Sequence, residues 1–165
     1  METRDHDREM LHALLSGMEY ALLTTRAADG ALVSRPLQLL QTDAACALWF
    51  FTSATSGKVD EIRADAHVNV AFSDPSKKIF LSISGDASVI DDRAKADALW
   101  SAAQKIFYPN GPDDPSLTLL RIVPHTAHYW DGNESSWGLL KKFGKAVLLR
   151  EASDLGTSAQ LDVGE

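Results

Sequence analysis

The sequence predicts a mainly β protein, a six-stranded antiparallel barrel with helices packed outside it. Three observations lead there. Residues 20–26, 32–41, 46–52, 67–73, 79–89 and 117–130 read as strands, either alternating apolar and polar side chains or apolar throughout. The first three of these runs follow one another with no helical spacing between them, whereas a doubly wound parallel sheet needs a helix between most strands. The longest unbroken alternation, 79–89, carries Gly85 near its middle, where glycine marks a bulge or the sharp bend of a sheet curling on itself. Closing the sheet also removes the exposed edges that such runs would otherwise present.

The chain opens with a helix: Met10, Leu11, Leu14, Leu15 and Met18 keep helical spacing, Asp5 or Asp7 can cap its start, and Gly17 stands where a terminator does. From Tyr20 the period changes to two. Ala27-Ala28-Asp29-Gly30 separates the first two strands, its Asp-Gly supplying the positive backbone angles of a tight hairpin. In the second strand Pro36 removes a ladder donor, so Arg35-Pro36 belongs at an edge or bulge, with Arg35 extended. The third strand sends Leu48 and Phe50 to one face and Trp49 and Phe51 to the other, as expected of a strand buried on both sides.

It runs into the hydroxyl-rich turn Thr52, Ser53, Thr55, Ser56, then Gly57, Lys58 and a short helix in which Val59 and Ile62 share a face. Val68, Val70 and Phe72 alternate along the fourth strand, and Asp74-Pro75-Ser76 turns the chain into the fifth. Asp91-Asp92 then cap a third helix whose apolar stripe, Leu99, Trp100, Ala103, Ile106 and Phe107, is expected to be core. Prolines 109, 112 and 115 make the next segment irregular before the sixth strand. Residues 1–150 form one domain, and 151–165 read as a flexible C-terminal tail.

Composition narrows the function. At 165 residues and 45% hydrophobic the chain suits one domain with a complete core. A net charge of -7 supplies no excess of cations for nucleic acid or an anionic membrane. The lone Cys46 lies in an apolar run and reads as a buried thiol. The charged start METRDHDRE has no apolar signal region and no run is long enough to span a membrane, so a cytoplasmic location is expected. Asn133-Glu134-Ser135 matches a glycosylation acceptor without a secretory signal to give it meaning. P-loop, dinucleotide and G-x-S-x-G patterns do not occur. His125 and His128, three apart on a strand, would point to opposite faces with no cluster to complete a metal set, so no metal is expected.

The turn after the third strand is the strongest candidate site. A helix start carries N–H groups without intrahelical partners and a partial positive charge, so Thr52, Ser53, Ser56, Gly57 and Lys58 make a phosphate cradle. The same residues also admit a plainer reading, with Ser56 as an N-cap and Lys58 solvated.

Taken together, Ser34-Arg35-Pro36, WFFTSATSGK at 49–58, and HYWDG at 128–132 resemble the FMN-binding split barrels related to pyridoxamine phosphate oxidase, as do SISGDASVIDD and YPNGPDD. The likeness is nearest to the general stress protein branch. The resemblance implies a split barrel and a homodimer with one FMN in each of two clefts at the subunit interface. It assigns Thr52, Ser56 and Lys58 to the FMN phosphate and runs Phe51 and Thr52 beside the flavin. It also sets Arg35 along the ring and ribityl chain and brings Trp130 in from the partner subunit.

Departures are equally specific. Gly57 stands where the vitamin-synthesising members have arginine, and Phe80 where they have glutamine. The Arg-x-His element that grips pyridoxal phosphate has no counterpart after Trp130, so vitamin B6 synthesis is not expected. Two uses follow from the resemblance: a flavin-dependent oxidoreductase acting on an unspecified small molecule, or a stress-response protein that binds or senses flavin without turnover. Nothing in the residues discriminates FMN from FAD or a deazaflavin, and an anion-binding barrel without flavin is the alternative.

Overall fold

The computed structural model describes residues 2–132, 152–153 and 156–164. The elements in order are α1 (Glu2–Leu15), β1 (Tyr20–Arg26), β2 (Leu32–Thr42), β3 (Leu48–Ser53), α2 (Gly57–Ala64), β4 (His67–Asp74), β5 (Ile79–Ile90), α3 (Arg93–Leu99), a 3-10 turn (Ala102–Ile106), β6 (Leu117–Asp131), β7 (Ala152–Ser153) and β8 (Gly156–Asp162). Strands pair in the order β3-β2-β1-β4-β5-β6, and β3 pairs β6 to close a six-stranded antiparallel barrel. The β6 edge that meets β3 over Leu117–Ile122 continues past it and pairs β8 over residues 126–131.

The alternation seen in the sequence sorts side chains as expected. Leu23, Leu48, Phe50, Val70, Leu81, Ile83, Leu120 and Ile122 fill the barrel, and α1 buries Met10, Leu11, Leu14 and Leu15 against that core. Trp49 and Phe51, on the opposite face of β3, join Ala96, Leu117 and Leu119 in a second cluster beneath α3. Cys46 is fully buried, and burial pushes its thiol up to about 11.

Turn chemistry follows the sequence with one refinement. In the first hairpin only Gly30 has positive φ, at 87°, while Ala27 N–H bonds Ala31 O across the loop. Pro36 lies opposite Leu22 on β1, in the part of β2 that precedes the ladder with β3. The β5–β6 ladder slips between Ser84 and Gly85, where a Cβ on residue 85 would lie 2.2 Å from Val123 O. That approach requires glycine and builds the bulge.

Three expectations fail. The first helix already starts at Glu2, so Asp5 and Asp7 lie inside it rather than capping it, and Asp7 instead accepts a hydrogen bond from Asp162 N–H. The stripe after Asp92 is not one helix: α3 stops when Trp100 turns extended (ψ 136°), and the chain restarts as a 3-10 turn after Ser101. The break resets the helical phase, so Ile106 is 81% and Phe107 62% exposed rather than core. The segment read as a flexible tail contains β8, whose Ala159 and Leu161, with Val163 just beyond, are buried against the barrel core. Their period-two pattern is written mostly in small residues and so gave a weak apolar signal. The Asn133-Glu134-Ser135 acceptor lies outside the described residues. Among the described residues no helix is long and apolar enough to cross a membrane.

Candidate functional site

The exit of β3 and the start of α2 bring together most of the residues singled out. Thr52 is buried at the end of β3, with its Oγ1 3.5 Å from Ser56 Oγ. Lys58 Nζ donates to the same Ser56 Oγ at 3.2 Å. Ser53 Oγ shares a hydrogen bond with Thr55 Oγ1 at 3.0 Å, and Ser53 O accepts from Ser56 N, which closes the turn. Gly57 opens the helix, and a Cβ there would meet nothing within 4 Å, so the backbone is open to approach on that side. Ser56 occupies the N-cap position with extended backbone, yet its side chain makes no capping hydrogen bond among the described residues. Val59 N–H bonds the Ser56 carbonyl at 2.9 Å, and the Gly57 and Lys58 N–H groups have no acceptor among the described residues.

Arg35 reaches the same region from β2. Its Nη1 donates to Thr25 Oγ1 at 2.6 Å and its Nη2 to Glu61 Oε2 at 2.9 Å, while Thr25 Oγ1 donates to Glu61 at 2.5 Å. Arg35 and Glu61 are largely shielded, with side chains 22% and 19% exposed. The hydrogen bond from Thr25 is the chief reason that the Glu61 carboxyl is held below its ordinary range, with Arg35 adding to it. Lys58 is held below the ordinary lysine range, first by burial and then by the positive charge of Arg35, and Glu61 opposes the shift. Arg35 thus takes up Glu61, while Lys58 makes no ion pair among the described residues and stands beside an uncapped helix start, an environment that favours a further anion. Thr25 and Glu61 were missed by sequence reasoning. Glu61 could have been found by its i,i+3 relation to Lys58 on α2, whereas Thr25 arrives through strand pairing.

Phe51 stands next to Thr52 and is almost wholly buried, its ring 5.9 Å from that of Trp100 and 6.2 Å from that of Tyr108. It lines an apolar pocket of about 260 Å³ with Tyr20, Pro36, Leu37, Leu40, Phe107 and Tyr108. Burial, helped by the charge of Asp114, pushes the Tyr108 phenol up to about 12, so it remains a hydrogen-bond donor. Trp49 packs elsewhere: its Nε1 donates to Asp43 at 2.9 Å and Lys95 Nζ lies 4.7 Å from its ring centroid. Its role is packing.

Trp130 is not brought to this site within one chain. Thr52 pairs with Thr118 near the beginning of β6, whereas Trp130 pairs with Phe80 near the strand's end. About 40 Å of strand contour separates Thr118 from Trp130. Trp130 instead stacks on His128, with centroids 6.4 Å apart.

Comparison with known proteins converges. Residues 6–154 match the protein family described as pyridoxamine 5'-phosphate oxidase like. The chain is 30% identical over 148 residues to the protein bli-3 of Neurospora crassa, covering 84% of this chain and 71% of that protein. It resembles the crystal structure of the general stress FMN/FAD binding protein of Xanthomonas citri, with a TM-score of 0.65, 27% identity and coverage of 78% of this chain and 89% of that one. A general stress protein 26 from Jannaschia shares the fold over 93% of this chain and 96% of its own, with a TM-score of 0.67 and 22% identity.

Proposed function

The chain belongs to the pyridoxamine 5'-phosphate oxidase-like family, and on that premise we propose that it is a flavin-binding protein that takes FMN by its phosphate at the start of α2. The observation that carries the proposal is the pairing of Lys58 with Ser56 at an uncapped helix N-terminus, next to Arg35. Thr52, Ser53, Ser56 and the Gly57 and Lys58 N–H groups would supply neutral donors, and Lys58 the charge. Phe51 and the apolar pocket that begins there would give the ring a wall. The general stress FMN/FAD binding protein of Xanthomonas citri supports a flavin as the nucleotide.

A pocket of about 260 Å³ is small beside the roughly 300–1,000 Å³ typical of ligand sites, so it suits one part of a flavin better than the whole. A homodimer would complete the cleft. Tyr20 and Leu22 on β1 and Leu32 on β2, exposed at 58%, 50% and 71%, lie on one face of the β1–β2 ladder and give a second copy apolar side chains to cover. The same arrangement would let Trp130 of the second copy approach a flavin that it does not reach in its own chain.

Bound flavin supplies hydride and single-electron chemistry. This chain's residues bind and orient. Lys58, Ser56 and Arg35 hold charge, Phe51 and Tyr108 exclude water, and no side chain is assigned as a catalytic acid or base. That division favours flavin binding or sensing, with oxidoreductase activity on a small molecule as the second use.

The test is an absorbance spectrum after adding FMN and removing the excess by gel filtration. A flavin spectrum near one equivalent per chain is the expected result, and colourless protein overturns the proposal. Parallel additions of FAD and a deazaflavin fix the preference. Turnover with reduced nicotinamide no faster than free FMN would leave binding without catalysis.

A further inference from the structure

A second group of side chains lies on the outer face of β4, β5 and β6 and shares no residue with the flavin site. His67 on β4 pairs across the ladder with Asp86 on β5, its Nδ1 3.3 Å from Asp86 Oδ1. His125 on β6 sets its Nε2 3.4 Å from the other carboxylate oxygen, Oδ2. The two imidazoles stack at 6.2 Å between centroids and 25° between planes. One ligand atom from each of the three residues lies within 4.8 Å of the others.

The bulge at Gly85 lies within this group. Ser84 pairs with Thr126 and Gly85 with Pro124, which leaves His125 as the extra residue on β6. The burial pattern shows the consequence: Pro124 and Ala127 are buried while His125 and Thr126, consecutive in sequence, are both partly exposed. Strict alternation would have aimed His125 and His128 at opposite faces. His125 keeps the outward phase of Arg121 and Val123, and the slip leaves it unpaired beside Asp86 while turning His128 to the same face. Because a Cβ at residue 85 would sit 2.2 Å from a backbone oxygen, glycine fixes the bulge and the bulge fixes the register.

We propose that His67, Asp86 and His125 bind one first-row divalent cation of the Zn²⁺ class. Two imidazole nitrogens and a carboxylate oxygen are the donor set such ions take, at about 2.0–2.2 Å from the metal. Tetrahedral ligands at that radius stand about 3.4 Å apart. Each imidazole nitrogen already stands 3.3 or 3.4 Å from one oxygen of Asp86, and the three ligand atoms, within 4.8 Å of one another, need to draw together only slightly to reach that spacing. Three strands of one closed barrel supply the ligands, so binding requires side-chain rotation and no backbone movement. With three protein ligands at the surface, the remaining coordination is left to water or to a group from outside the chain.

The experiment is calorimetric titration of chelator-stripped, full-length protein with Zn²⁺. One equivalent per chain is expected. Asp86→Asn and the double variant His67→Ala, His125→Ala should each weaken binding by about tenfold or more, while His12→Ala on α1 leaves it unchanged. In the wild-type protein, Zn²⁺ should also shift the ring resonances of His67 and His125 in NMR spectra, a readout that needs no variant. The absence of saturable uptake overturns the proposal and leaves the cluster as two histidines hydrogen-bonded to one carboxylate. Stoichiometric binding that survives the double variant overturns it as well, since the ion would then be held elsewhere.

Discussion

Replacing Lys58 by alanine tests where the nucleotide phosphate sits. Lys58 Nζ rests 3.2 Å from Ser56 Oγ, at the mouth of the uncapped helix, and its charged form is disfavoured by burial and by Arg35. A bound phosphate would relieve that penalty and accept a charge-assisted hydrogen bond. Such bonds contribute about 1.5–3 kcal/mol, so Lys58→Ala should raise the Kd for FMN about 10- to 150-fold, read by quenching of flavin fluorescence. Riboflavin, which lacks the phosphate, should bind both proteins alike.

The pH dependence has a definite sign. A phosphate dianion favours protonated Lys58, so above about pH 6, where the phosphate is doubly ionised, wild-type affinity is retained and then lost as pH rises through the pKa of Lys58 in the free protein. Because that pKa is lowered from 10.5, the loss begins at a lower pH than an ordinary lysine would give, and Lys58→Ala should flatten it. Unchanged FMN affinity in a folded Lys58→Ala protein, or an equal loss for riboflavin, would refute the phosphate placement.

Other consequences can be measured independently of any ligand. Gly85→Ala forces a methyl to within 2.2 Å of Val123 O and should cost at least about 2 kcal/mol, a drop in Tm of roughly 4–8 °C by calorimetry. Leu161→Ala removes a fully buried side chain of β8 and should destabilise the fold by about 2–5 kcal/mol in urea, where a residue in a loose tail would cost nothing. With its thiol pushed up to about 11, Cys46 should resist a disulfide reagent at pH 8 in the native protein and react once denaturant is added. Glu61→Gln should lower Tm near neutral pH. The carboxyl of Glu61 is held below its ordinary value, so its contribution is present above about pH 4.3 and lost as pH falls through the depressed pKa, and the two proteins should converge in acid.

How much of this was legible depends on whether the information is local. The alternation in 79–89 and the apolar run at β3 specify strands and their buried faces, since period two and side-chain direction are the same fact. The turn residues from Thr52 to Lys58 are likewise contiguous, and the sequence places them together. Thr25 and Glu61 are partners of Arg35 only because β1, β2 and α2 converge, which no spacing along the chain encodes. His67, Asp86 and His125 meet across three strands, beside a register slip that Gly85 hints at but does not locate on β6. In the stripe after Asp92, the extended backbone at Trp100 cancelled a correct period by breaking its phase.

The Ser56 position bears most directly on function. Serine after a strand and before a helix would ordinarily cap, and a side-chain cap stabilises by about 1 kcal/mol. Here Ser56 has the extended backbone of an N-cap but turns its hydroxyl to Lys58 and Thr52, so the helix start forgoes that stabilisation. Meanwhile a half-buried lysine is set near an arginine that already holds the neighbouring carboxylate of Glu61. Each feature is a local cost that folding alone does not require, and both are relieved by the same kind of ligand, an anion seated on the N–H groups of α2. Local rules broken together at one place, and repaired together by one chemistry, are what the proposed phosphate cradle requires and an ordinary helix cap does not.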